Sequence, residues 1–260
     1  MAHYIPVIAL ALFCFTASAE EPLPGELPPD QEAAALKLAE TTGSAIYRHD
    51  QAAAVATDAA LKLRQFREDK RIKGWVTEER QNRIVVTFID QTPAALYRVT
   101  VSNKGVASPV ATMKTPTPLT PYESGSAAAR SAALTSKFQP CSKNYNSVVL
   151  PAADGSEGSW AVYLLPGTTE RNIVPIGGTY RIMVNDSTVI SQRGFTRSCI
   201  ALQTDPNAAG LIITHLLDPI PTEAHVFWSM WAKMPMYVST PPNGTVWVVE
   251  GNHIRLLERQ

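Results

Sequence analysis

The chain has 260 residues, 45% of them hydrophobic, with 20 prolines, 3 cysteines, and 23 basic residues against 23 acidic ones. That length and apolar content are enough to bury a core in one large domain or two small ones, and they exclude global disorder. The balanced charge removes any electrostatic basis for binding nucleic acid or an anionic membrane surface.

The first residues read as an export signal. Residues 5–15 are apolar apart from Pro6, and Ala17-Ser18-Ala19 is a small-x-small cleavage site before Glu20, so residues 1–19 are expected to be removed. The leading segment departs from the usual pattern in having no Lys or Arg. The apolar run is too short for a permanent membrane span, and no other segment is long enough for one. Cleavage takes Cys14 and leaves Cys141 and Cys199. In an oxidising compartment such a pair, without CxxC spacing, is most simply one disulfide, and it supports neither a redox enzyme nor a thiolate zinc site. The protein is expected in the periplasm or outside the cell.

Residues 20–29 carry four prolines and are expected to form an extended tether. Asp30 is then placed to cap a long helical region over 31–71, rich in Ala, Leu, Lys and Glu and free of proline. Gly43 is expected to divide or bend it. Ile46, Ala53, Ala56, Ala60 and Leu63 form a thin apolar stripe, and His49 is expected on the exposed side. From Trp75 the period changes, and 83–90 and 95–102 read as strands joined at Gln91-Thr92-Pro93. Residues 30–108 are thus a helix with an antiparallel sheet, and 109–140 a Pro, Thr, Ser and Ala connector with a short helix over 125–134.

Residues 141–260 are expected to be a β-rich domain. A strand is read over 159–165, a hairpin over 180–192 turning at Asn185-Asp186-Ser187, and a strand over 198–203 carrying Cys199. Gly177-Gly178 reads as a turn or bulge. The apolar run 211–217 is a buried strand, broken by Asp218-Pro219-Ile220-Pro221. Thr222 caps a short helix over 222–234, with Glu223 suited to its positive end. Strands over 236–239, 245–250 and 253–258 follow, separated by Asn-Gly and Gly-Asn turns, as a three-stranded antiparallel meander. The fold class is α+β: a long N-terminal helical region on an antiparallel meander, then a β-rich half with one short helix.

One polar cluster stands out: His215, Asp218, Glu223 and His225 lie within eleven residues. Two imidazoles and two carboxylates suit zinc or an acid and a base. The spacing is not HExxH, and a Pro-x-Pro turn separates the histidines, so local satisfaction is the plainer reading. The Trp228, Trp231 and Met234 group suits a contact surface, although helical spacing alone explains it as core. No Gly-x-Ser-x-Gly elbow, P-loop or GxGxxG occurs, and no cofactor is expected. Asn185-Asp186-Ser187 and Asn243-Gly244-Thr245 match the glycosylation sequon, in turns where Asn is common anyway. The sequence reads as an exported, non-enzymatic binding or interaction protein meeting another envelope or extracellular protein or a small ligand. The alternative is a hydrolase or metal-dependent enzyme using His215, Glu223 and His225.

Overall fold

The computed structural model describes residues 25–170, 172–205 and 207–259. The signal over 1–19 and most of the tether over 20–29 lie outside them. The chain is α+β, with a long N-terminal helix, an antiparallel four-stranded meander and a β-rich C-terminal half containing one short helix.

Helix α1 (Pro29–Leu61) is 33 residues, about 50 Å at the α-helical rise. Pro29 sits in its first turn, where a missing N–H costs nothing. Asp30 lies inside that turn rather than capping it, since Pro28 holds the cap position. The buried residues are mostly small: Ala39, Gly43, Ala52, Ala53, Ala56 and Ala60, with Ile46. Gly43 does not divide α1, which runs unbroken through it. A Cβ there would stand 2.5 Å from Val226 Cβ and 2.7 Å from the Glu223 carbonyl oxygen, so glycine is what lets a second helix pack this close.

Helix α2 (Arg64–Glu68) turns Phe66 into the first sheet, edge-on to Phe88 and Tyr97 at 4.9 and 5.0 Å. That sheet runs β1 (Gly74–Arg80), β2 (Arg83–Ile89), β3 (Ala95–Ser102) and β4 (Ala111–Thr117), all antiparallel. Ala52, Ala56 and Ala60 of α1 pack on Ile84, Val86, Phe88, Val99 and Val101. Residues 109–140 are more than a connector, for they hold β4 and α3 (Pro121–Thr135). The Thr120 hydroxyl accepts from the Glu123 N–H and Glu123 Oε2 from the Thr120 N–H, a capping box that starts α3.

The second sheet has the order β5 (Tyr145–Pro151), β6 (Ser159–Pro166), β8 (Tyr180–Asn185), β9 (Thr188–Gly194). One face, with Val149, Trp160, Val162, Leu164, Ile182 and Val184, is covered by Ala129 and Ala133 of α3. The other face turns towards α1 and the last helix. Residues 198–203 form a strand only at β10 (Leu202–Gln203), paired with β7 (Ile173–Val174), so Cys199 lies outside any strand. Cys199 is bonded to Cys141. Gly177 allows that crossing: its Cβ would fall 1.9 Å from the Ile200 nitrogen.

The third sheet is β11 (Leu211–Thr214), β12 (Met236–Thr240), β13 (Thr245–Glu250) and β14 (His253–Arg259). The last three form the expected meander, and β11 joins β12 in parallel through α4 (Glu223–Ala232). Every residue from Glu223 to Ser229 is buried, because α4 is enclosed by α1 and the inner faces of the second and third sheets.

Breaking the bridge should cost stability. Cys141 and Cys199 are 58 residues apart, a loop worth about 4 kcal/mol as a restraint on the unfolded chain. A Cys141→Ser, Cys199→Ser variant is expected to unfold at correspondingly lower denaturant. An unchanged midpoint would show that the bridge adds nothing to the rest of the fold.

Candidate ligand cleft

Between α1, the inner face of the second sheet and the start of α4 lies a cleft of about 870 Å3. Ala35, Leu38, Ala39 and Ala45 of α1 form one wall, and Leu150, Ala161 and Met183 line the sheet side. Ile220, Pro221, Thr222 and Glu223 close one end. The loop before α4 is fixed from below: buried Asn243 donates from Nδ2 to the Pro219 carbonyl at 2.9 Å and accepts from the Thr240 hydroxyl at 2.8 Å. That second sequon is therefore closed to a glycan.

The polar floor follows from strand register. Tyr163 on β6 is opposite Arg181 on β8, and Arg181 is opposite Arg193 on β9. Two guanidinium groups directly opposed across a strand pair repel. Each is given a carboxylate by the chain that enters α4. Arg193 donates to both oxygens of Asp218, at 3.2 and 2.6 Å, and lies 4.8 Å over the Phe195 ring. Arg181 Nη1 donates to Glu223 Oε1 at 2.8 Å, and the Tyr163 hydroxyl donates to the same oxygen at 3.3 Å.

The four residues singled out by the sequence do converge on this floor. His215, at the end of β11, places Nε2 2.8 Å from Asp218 Oδ2. His215 and His225 meet edge to face at 4.6 Å. His225 Nδ1 accepts from the Thr222 N–H at 3.0 Å, so its ring proton sits on Nε2. Burial, and after it the neighbouring His215, hold the His225 ring well below its ordinary pKa. At Asp218 burial pushes upward, but hydrogen bonds from His215 and Arg193 outweigh it and keep the carboxyl far below the usual range. These contacts leave no group of three His, Cys, Asp or Glu side chains placed to hold a metal ion among the described residues. His215, Glu223 and His225 serve as an Asp218 partner, an Arg181 partner and a cap.

Trp228 is a core residue, not part of a contact surface. It is 2% exposed, donates from Nε1 to the Thr179 hydroxyl at 2.9 Å, and packs on Phe227 and Trp231. Trp231 and Met230 are partly buried against the same core. Met234 is half-buried and lines a shallow recess of about 340 Å3. The buried residues of α4 run from Glu223 to Ser229, while Met230, Trp231 and Met234 are only partly covered.

His49 also differs from expectation. It is 3% exposed at the far end of the cleft, with Nδ1 2.8 Å from the Thr77 hydroxyl. Burial, then the Arg48 charge, push its pKa down to about 4, with Glu79 opposing weakly. A depressed folded-state value means that the unfolded chain takes up the proton first as pH falls. The His49 contribution is whole above pH 6.5 and is lost down to about pH 4. At pH 5 it removes about 2 kcal/mol, and His225 adds in the same direction. Urea unfolding at pH 7 and pH 5 should show that loss, and His49→Gln should flatten part of it. Equal stability at the two pH values would contradict the neutral, buried rings.

No protein-family model and no curated protein matches the sequence. Among solved structures, the Bacillus megaterium YpeB C-terminal domain is similar at 18% identity, covering 53% of this chain and 64% of that one, with a TM-score of 0.18. The match spans less than two thirds of that domain, and its shape agreement is too low to carry any argument here.

The sequence reading missed Tyr163, Arg181 and Arg193. No helix of the described residues is long and apolar enough to cross a membrane.

Proposed function

We propose that the chain is an exported, non-enzymatic binding protein that takes a small ligand in the cleft between α1, the second sheet and α4. The cleft itself carries the reading: its volume suits a small molecule, its walls are apolar, and its few polar groups are held in place by one another. The Cys141–Cys199 bridge and the signal-like first residues support export.

The test is native mass spectrometry of the protein gently purified from the envelope and medium of its own cells. A co-purifying small molecule is expected on a chain that begins at Glu20. Ala45→Phe, which narrows the cleft from the α1 side, should lose that molecule while keeping its circular dichroism and melting temperature. An identical bound mass in both proteins would place the ligand elsewhere. A protein partner with no small molecule would replace this reading with an interaction module.

A further inference from the structure

Resting on that reading, we infer that the ligand is a neutral amphipath with a carboxamide head, its carbonyl accepting from Arg181 and its N–H donating to Glu223. The charges on the cleft floor are already closed. Arg181 and Arg193 are matched by Glu223 and Asp218, one for one. The Arg193 side of the row is also saturated: Asp218 takes both Arg193 nitrogens and His215. An ionic head set at this row would find no free counter-charge within it and would shed its water for nothing. Asp154, which lines the cleft without an ion pair, is exposed and lies outside the row.

The Arg181 side is incomplete. The pair is joined through a single oxygen, Glu223 Oε1, which also takes Tyr163. Arg181 Nη2 and Glu223 Oε2 make no hydrogen bond to any described residue, and both side chains line the cleft. Neither atom is sealed from solvent without a partner, whereas Arg181 Nε is. A donor and an acceptor therefore stand side by side with capacity unused. A carboxamide offers the complementary acceptor and donor in one planar group. A site with spare groups of this kind discriminates strongly, because a head that matches only one leaves the other desolvated and unpaired. The apolar body has its place along α1, where Ala35, Ala39 and Leu38 face the cleft and Leu38 is 50% exposed.

Isothermal titration of the full mature chain with octanamide, octanoate and octylammonium tests the assignment. Octanamide is expected to bind at least tenfold more tightly than either ion, and Ala45→Phe should abolish its binding. The paired variants should then switch the preference. Arg181→Met leaves Glu223 without its cation and should favour octylammonium. Glu223→Gln leaves Arg181 without its anion and should favour octanoate. Wild-type preference for either ion, lost in Ala45→Phe, would overturn the carboxamide head and leave the cleft reading standing. Failure of all three probes to bind would also overturn it, with the cleft then judged by the co-purified molecule. The wild-type ranking decides the matter even if a variant does not fold.

Discussion

Trp228→Ala is expected to cost about 3–5 kcal/mol, the usual range for emptying a large aromatic site in a core. Trp228 is among the largest fully buried side chains and is enclosed by α4's neighbours on every side. Its loss removes the edge-on contacts with Phe227 and Trp231 and takes the donor from the buried Thr179 hydroxyl, which keeps only its own bond to the Ile176 carbonyl. Trp231→Ala should cost clearly less, since Trp231 is only partly buried. Denaturant unfolding of the two variants side by side checks the assignment. Equal losses would mean that the helix buries a different face, and a harmless Trp228→Ala would return that residue to the surface.

Glu123→Ala is expected to cost a similar amount, about 3–5 kcal/mol, as when one partner is taken from a buried ion pair. The Glu123 side chain is 1% exposed and accepts from four donor atoms on three residues, Arg98 Nε among them at 3.2 Å. Arg98 Nη2 reaches Oε2 at 2.7 Å, the Thr87 hydroxyl reaches Oε1 at 2.6 Å, and the Thr120 N–H closes the cap of α3. Burial pushes this carboxyl upward, but those hydrogen bonds and the Arg98 charge bring it below its ordinary value. One residue thus joins the first sheet to the helix that covers the second. Glu123→Gln keeps the size and one acceptor and should recover part of the loss. If alanine and glutamine are equally tolerated, the pair is ornamental and α3 is held by Ala129 and Ala133 alone.

Much of the fold was legible because turn chemistry marks it. Asn185-Asp186-Ser187 and Gly251-Asn252 bound their hairpins where the alternating residues require. Strand β4 was missed because Thr115-Pro116-Thr117 reads as a linker, yet proline is tolerated on an edge strand, and β4 is an edge. Helix α3 starts at Pro121, four residues before the 125–134 read from its Ala and Ser content, because the Thr120 to Glu123 capping box was not used as a start signal. His49 was assigned to solvent because the stripe on α1 looked too thin to cover more than one side. The packing of α1 against sheets and a second helix buries more of its circumference than periodicity indicates.

The cleft floor was hidden for a more specific reason. Counting outward from the hairpin turn, Asn185 faces Thr188 and Val184 faces Val189, which continues to Gln192 opposite Arg181. A register shift between Met183 and Val184 moves the pairing by one residue and brings Arg193 there instead. Reading the polar row from sequence therefore required knowing the bulge. The cluster of His215, Asp218, Glu223 and His225 was visible as composition, but its purpose was not. Its acids neutralise arginines on strands that no local pattern connects to them.

The clasp between α1 and β14 has a consequence for the order of events in folding. Glu40 on α1 accepts from the Ile254 N–H at 2.8 Å, a separation of 214 residues, and Arg259 pairs with Glu32 at 2.9 Å. The first helix of the described residues is thus completed by their last strand. Contacts this distant in sequence form slowly, because a long stretch of chain must be ordered before they are rewarded. Gly43 and Ala52 to Ala60 of α1 are covered by α4 and the first sheet, but Glu32 and Glu40 gain these partners only when β14 is in place. An intermediate that lacks β14 would keep the packing of α1 on α4 and the first sheet while this seam is still open.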